Sequence, residues 1–333
     1  MEINFNPKKN VKITDYLNSY LFDNVLIKNL KGISIRKTMV KNWYEIPLFK
    51  LGIKKELTLK LTNKTSKSFI TLKDYNAFWY TKQAQKLFFE NVLKTKFQIT
   101  KNYIEFLWHG KQIKLFYDSE KQFYNSTFLI KEQFFEEEYA WLDVNNNVVV
   151  DIGANVGDTA IYFSLKGAKH IYAYEPYPYS YKIALKNINL NNLKNVVSIL
   201  NEGCGKGQTI LIDEMYENNI ATNIKNFKSG KTIKLETLDN IVTRFKIKDA
   251  VLKLDCEGSE YDVILTASEY SLRSFKQIII EYHYGYKNLL EKLKNSGFEV
   301  KIRRPTFHLE NDRTIKNLQR GILYCKRIPK RVN

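Results

Sequence analysis

Val148-Val149-Val150-Asp151-Ile152-Gly153-Ala154-Asn155-Val156-Gly157-Asp158 is the stretch whose reading decides the fold. Its first five residues are four branched apolar side chains and one acid, the composition of a buried strand. Two glycines four positions apart then lead into a segment of helical period, residues 158–166, which Gly167 stops. Gly153 permits a tight turn, and Gly157 is expected to let the backbone lie close to a ligand at the helix N-terminus. Downstream the same alternation continues. Residues 170–174 read as a second strand, Pro178 opens a helix that runs to about Leu190, and residues 195–200, 250–255 and 277–283 read as three more strands. A helix over 286–296 and a closing strand pair, 298–303 with 321–326, complete the pattern. Short apolar strands alternating with helices predict a doubly wound, Rossmann-like α/β sheet. Residues 203–235 interrupt it and are expected to form a hairpin and loop over the carboxyl edge of the sheet.

The ligand of such a sheet sits at its carboxyl edge. Glu175, 24 residues after Asp151 at the end of the second strand, is placed to accept hydrogen bonds from both hydroxyls of a ribose. A dinucleotide fingerprint requires G-x-G-x-x-G, because a pyrophosphate needs close backbone approach at the middle glycine. Here that position is Asn155 and the spacing is G-x-x-x-G. Acids such as Asp151 and Asp158 suit a positively charged nucleoside with an amino-acid tail, so the pattern favours S-adenosylmethionine over NAD. Asp151, Gly153, Asn155, Gly157, Asp158 and Glu175 are the expected cofactor contacts.

Five titratable groups gather at two neighbouring strand ends: Asp255, Glu257 and Glu260 after the fourth strand, Glu281 and His283 at the end of the fifth. An alcohol becomes a useful nucleophile when a base or a metal assists loss of its proton. Asp255 and Glu257 are expected beside a methyl acceptor, with His283 as candidate base. Asp255 with Glu281 could instead hold a divalent cation. Other readings stand beside these. Ser259-Glu260-Tyr261-Asp262 has the form of a capping box, in which Glu260 would only favour the helix dipole, and Lys253 is placed to pair with an acid.

The runs D-I-G-A-N-V-G-D (151–158), Y-A-Y-E-P-Y-P (172–178) and Leu252-Lys253-Leu254-Asp255-Cys256-Glu257-Gly258-Ser259-Glu260 together resemble the FkbM-type methyltransferase family. Thr237-Leu238-Asp239 and Ile280-Glu281-Tyr282-His283 fit the same pattern, and K-x-D-x-E-G-x-E is its most specific piece. The resemblance runs from about Tyr139 to Lys326. It implies a class I methyltransferase fold with an antiparallel last strand, adenine contacts near Asn201 and Glu202, and methyl transfer to a hydroxyl, often of a sugar or natural product.

Residues 1–145 lack the alternation and read as a small α+β accessory domain preceding a cofactor domain over 146–333. In it, residues 56–62 and 68–72 read as a hairpin, 77–93 as one helix, 97–100, 103–108 and 112–117 as short strands, and 128–142 as an amphipathic helix entering the sheet. The chain of 333 residues carries a net charge of +18, shared evenly between residues 1–146 and the remainder. Such a field admits RNA or a peripheral contact with anionic lipid. An RNA 2′-O-methyltransferase, with some of the 22 Tyr and 20 Phe stacking on bases, is therefore the second enzymatic reading. A non-catalytic nucleotide-binding module is the third. Cys204, Cys256 and Cys325 form neither a disulfide framework nor a zinc pattern, and no apolar run has the length of a membrane span. A cytoplasmic protein is expected.

Overall fold

The computed structural model describes residues 35–212, 228–303, 306–307 and 319–329. By residue contacts the described chain falls into two units, 35–136 and 137–329.

The smaller unit holds α1 (Glu45–Lys50), the hairpin β1 (Leu57–Lys60) and β2 (Ser66–Phe69), α2 (Leu72–Phe78) and α3 (Lys82–Asn91). An antiparallel sheet of β3 (Phe97–Ile99), β4 (Tyr103–Trp108) and β5 (Lys111–Phe116) follows, then α4 (Glu120–Ile130). The single helix expected over 77–93 is two, because the Thr81 hydroxyl accepts the Ala84 N–H and starts a new helix there. The helix expected over 128–142 lies upstream. Ser119 caps it through the Gln122 N–H, and it passes into a π-helical turn, Lys131–Phe135, that stops where Glu137 takes a left-handed φ of +46°. The aromatic residues build the core: Phe89 stacks on Phe97 at 4.1 Å, and Phe106 meets Phe134 edge-on at 5.1 Å.

The larger unit is built on β6 (Val148–Ile152), α5 (Asp158–Leu165), β7 (His170–Tyr174), α6 (Pro178–Leu190) and β8 (Val197–Leu200). A small side sheet of β9 (Gly203–Cys204), β10 (Thr209–Ile212) and β11 (Lys231–Glu236) comes next. β10 and β11 pair antiparallel as the expected hairpin, while residues 213–227 of that loop lie outside the described residues. Then come α7 (Leu238–Arg244), β12 (Ala250–Leu254), α8 (Glu260–Thr266), α9 (Glu269–Arg273), β13 (Phe275–Tyr282), α10 (Lys287–Asn295), β14 (Phe298–Ile302), the short β15 (Thr306–Phe307) and β16 (Gln319–Arg327).

The main sheet runs β8-β7-β6-β12-β13-β16-β14. β6, β7, β8, β12 and β13 are parallel, and the last strand, β16, is antiparallel to both neighbours. This is the class I methyltransferase order. It reverses between β6 and β12, so their carboxyl ends open the crevice where ligands of such sheets bind. β12 is buried along its length, Lys253 included. Residues 137–145 make their contacts within this unit: Glu138 pairs with Arg303, and the Asp143 N–H donates to Gln277. No helix among the described residues is long and apolar enough to cross a membrane.

Candidate active site

Register sets the first charge beside its partner, because Asp151 of β6 lies opposite Lys253 of β12. The Lys253 ammonium is 3.2 Å from Asp151 Oδ1 and donates to the Gly153 carbonyl at 2.7 Å. Asp151 Oδ2 accepts the Thr159 hydroxyl at 2.5 Å. Burial opposes charge on Lys253, but Asp151, Asp255 and Asp158 outweigh it and raise its pKa above the ordinary lysine value. Lys253 is thus the acid-paired residue its position suggested. Asp151 and Asp158 are themselves buried, and burial pushes the Asp158 pKa up to about 7 against the pull of Lys253. Asp151 is thus engaged in an ion pair beneath the loop, and Asp158, whose charge adds to that of Asp151 around Lys253, opens the helix after it.

The loop itself has no sterically equivalent alternative sequence. Gly153 sits at φ +82°, and a Cβ there would lie 1.8 Å from the Asp255 carbonyl oxygen, so the first loop crosses the end of β12 where only hydrogen fits. Asn155 is left-handed at φ +45°, and its N–H donates to Glu175 Oε2 at 2.9 Å while the Tyr177 N–H donates to Oε1 at 2.9 Å. Each Glu175 oxygen retains a further lone pair. Burial pushes its pKa up to about 8 in spite of the two donors. Gly157 is also left-handed, but a Cβ there would meet the Ala184 side chain of α6 at 3.3 Å. The turn at Gly157 thus brings the loop close against α6.

Asn201 and Glu202 lie beside this loop with their side chains engaged. The Asn201 amide donates to the carbonyls of Glu175 and Pro176, and both Glu202 oxygens face Arg244 of α7. Contact from this pair to a nucleoside base would therefore come from the backbone, or require these bonds to yield.

The second group assembles at the ends of β12 and β13. His283, 1% exposed, places Nε2 3.0 Å from Glu257 Oε2 and 4.0 Å from both Asp255 Oδ1 and Glu281 Oε1. Its Nδ1 lies 3.0 Å from Glu260 Oε1. Glu260 is fully buried and also accepts the Cys256 and Gly258 N–H groups, each at 2.9 Å. The capping box does not form, because the Ser259 side chain caps nothing and Glu260 turns back to brace its own loop. Burial opposes charge on His283, but the adjoining Glu260 and Glu257 carboxylates outweigh it and hold the ring pKa well above its ordinary value. Burial and the Asp255 charge raise Glu281 well above the usual carboxyl range.

Two contributions escaped the sequence reading. Tyr139 donates its hydroxyl to Asp255 Oδ2 at 3.2 Å, and Glu260 orients His283. For Glu260 the signal was its place in the K-x-D-x-E-G-x-E run; Tyr139, 116 residues away from Asp255, offered none. A cavity of about 930 Å³ lies at the opposite, amino-terminal edge of β12, lined by Lys246, Asp249, Tyr270, Arg273 and Arg327 among others. It shares no residue with either cluster.

Residues 151–300 match the family model of the methyltransferase FkbM domain. The ribosomal protein L11 methyltransferase of Carboxydothermus hydrogenoformans is 34% identical over 90 residues, 27% of this chain and 30% of that protein. The match thus spans about a third of that curated relative's length. Among solved structures, M. jannaschii TYW2 in complex with AdoMet is 16% identical, with a TM-score of 0.37 over 69% of this chain and 89% of that one. M. capricolum TrmK in complex with S-adenosyl-homocysteine is 16% identical, with a TM-score of 0.37 over 58% and 68%.

Proposed function

We propose, with the methyltransferase FkbM domain over residues 151–300 as premise, that this chain transfers the methyl group of S-adenosylmethionine to a hydroxyl of a glycan or related polyhydroxyl acceptor. The carrying observation is the pairing of two sites on neighbouring strand ends. One is an acid with spare lone pairs beside a glycine loop; the other is a cluster of acids around an oriented histidine.

The first site fits the cofactor. Glu175 can accept two hydroxyl protons without giving up its backbone donors, and the hydrogen-only space at Gly153 keeps the loop low over the crevice. Asn155 and Gly157 hold the loop's left-handed turns, Asp151 anchors it through Lys253, the buried Asp158 opens the helix that follows, and the backbone at Asn201 and Glu202 borders the same crevice. When bound, the cofactor supplies an electrophilic methyl carbon. The chain's own work is to align an acceptor oxygen with that carbon and to remove its proton. Asp255 and Glu257 face the acceptor, where one of them takes the hydroxyl proton, and His283 stands beside them, fixed by Glu260.

Against RNA stands the burial of several aromatic residues of the smaller unit, where Tyr44 and Tyr80 are exposed. Phe89, Phe97, Phe106, Phe123 and Phe134 are buried in the smaller unit's core and are not available to stack on bases. The test is transfer of radiolabelled methyl from S-adenosylmethionine to a panel of oligosaccharides and to total RNA. The expected result is alkali-stable label in a glycan, abolished in Asp255→Asn. Label confined to RNA would overturn the acceptor, and label in neither, with intact protein, would overturn the reaction.

A further inference from the structure

We infer that Asp255, Glu281 and His283 form a binding site for one divalent first-row cation of the Mn²⁺ class. The inference deepens the proposed function at its acceptor end, but cation binding itself does not depend on it.

Three observations carry it. One ligand atom from each residue falls within 4.8 Å of the others, a spacing that a single ion can bridge. Second, His283 Nε2 is buried, points into this group and makes no hydrogen bond; Glu257 Oε2, at 3.0 Å, is near it without the alignment of one. Third, the other ring nitrogen is already used. Nδ1 donates to Glu260, whose oxygens are themselves held by the Cys256 and Gly258 N–H groups. A carboxylate behind Nδ1 is the arrangement that fixes the tautomer of a metal-bound histidine and directs its Nε2 lone pair at the ion.

Charge points the same way. Four carboxyl groups, of Asp255, Glu257, Glu260 and Glu281, surround one imidazole, and Arg320 approaches only the Glu281 side, at 3.8 Å. Lys253 is committed to Asp151 and the Gly153 carbonyl. A lone pair set among oxygens takes either a proton or a metal ion, and several oxygen ligands around it favour the ion. One nitrogen with two carboxylate oxygens suits Mn²⁺ better than Mg²⁺ or Ca²⁺, which prefer oxygen alone. Three protein ligands leave coordination positions open, so the acceptor's hydroxyl, or two adjacent hydroxyls, could bind the ion and lose a proton more easily.

The experiment is a Mn²⁺ titration of the chelator-stripped full chain, followed by loss of the free-ion electron paramagnetic resonance signal. S-adenosylmethionine binding is measured by calorimetry on the same samples. One Mn²⁺ per chain is expected, weakened at least about 10-fold in Glu281→Gln and in Asp255→Asn, with Tyr270→Ala, at the far cavity, unchanged. Two separately folded variants guard against a fold defect in either, checked by melting temperature. No uptake by the wild type, or equal uptake in both variants, overturns the site. Wild-type cofactor binding without Mn²⁺ uptake does so while leaving the function standing. Mn²⁺ uptake without cofactor binding supports the site and counts against the function.

Discussion

Glu175 and Glu260 invite comparison because the chain uses them in the same way at two neighbouring places. Each is buried at the carboxyl edge of the sheet, and each ties a loop by accepting two backbone N–H groups at 2.9 Å. What differs is the third partner. Glu260 spends its remaining capacity on His283, a residue of its own chain, whereas among the described contacts Glu175 bonds only to the loop it ties. Glu260 braces a histidine of the candidate active site; Glu175 is a brace with room for a ligand. Between them, Lys253 binds the two loops to one buried charge network.

The largest expected effect comes from removing that shared counter-charge. Lys253→Met leaves Asp151 and Asp158 buried without it and should cost about 3–5 kcal/mol of stability by urea unfolding. A loss under about 1 kcal/mol would mean that the two loops are braced independently. Glu260→Gln comes next. It retains an acceptor for the backbone but loses the charge behind Nδ1, so the His283 pKa, followed by imidazole NMR, should fall. An unchanged value would place the source of the shift in Glu257.

The pH dependence separates the two sides further. Glu175 and Asp158 have folded-state pKa values of about 8 and about 7, above their ordinary 4.5 and 3.8. Groups raised in this way contribute stability that is full below their unfolded values and lost as pH rises through the folded ones. The ligand-free melting temperature should therefore decline between about pH 4 and 8 and level off above, and Glu175→Gln should flatten the decline. A profile that rises over this range contradicts the assignment. The smallest effect is expected from Tyr139→Phe, which removes one hydrogen bond to Asp255 and should cost about 0.5–1.5 kcal/mol.

Much of this was legible in the sequence, for particular reasons. The strands announced themselves as short branched apolar runs, and their alternation with helices predicted a doubly wound sheet, whose strand order only the structure supplies. Lys253 was readable as an acid's partner because a lysine flanked by leucines in a buried strand needs one. What could not be read depends on register. Glu260 looked like a helix cap, and only the pairing of β12 with β13 brings His283 behind it. Gly157 matched a ligand-loop pattern, and the structure adds a left-handed φ of +81° and a close approach to the Ala184 side chain, 27 positions away. In the smaller unit, Ser119 with Gln122 three residues later marks the true start of α4, a capping signal outweighed in the sequence by the apolar run that follows.

The central claim is that the Gly153–Glu175 junction holds S-adenosylmethionine. Calorimetric titration of the purified chain with S-adenosylmethionine, S-adenosylhomocysteine and NAD tests it most directly, with Glu175→Ala alongside. The account predicts binding of the first two at about micromolar affinity, no binding of NAD, and a loss of at least about 10-fold in the variant. No binding, preference for NAD, or an unaffected variant would contradict it.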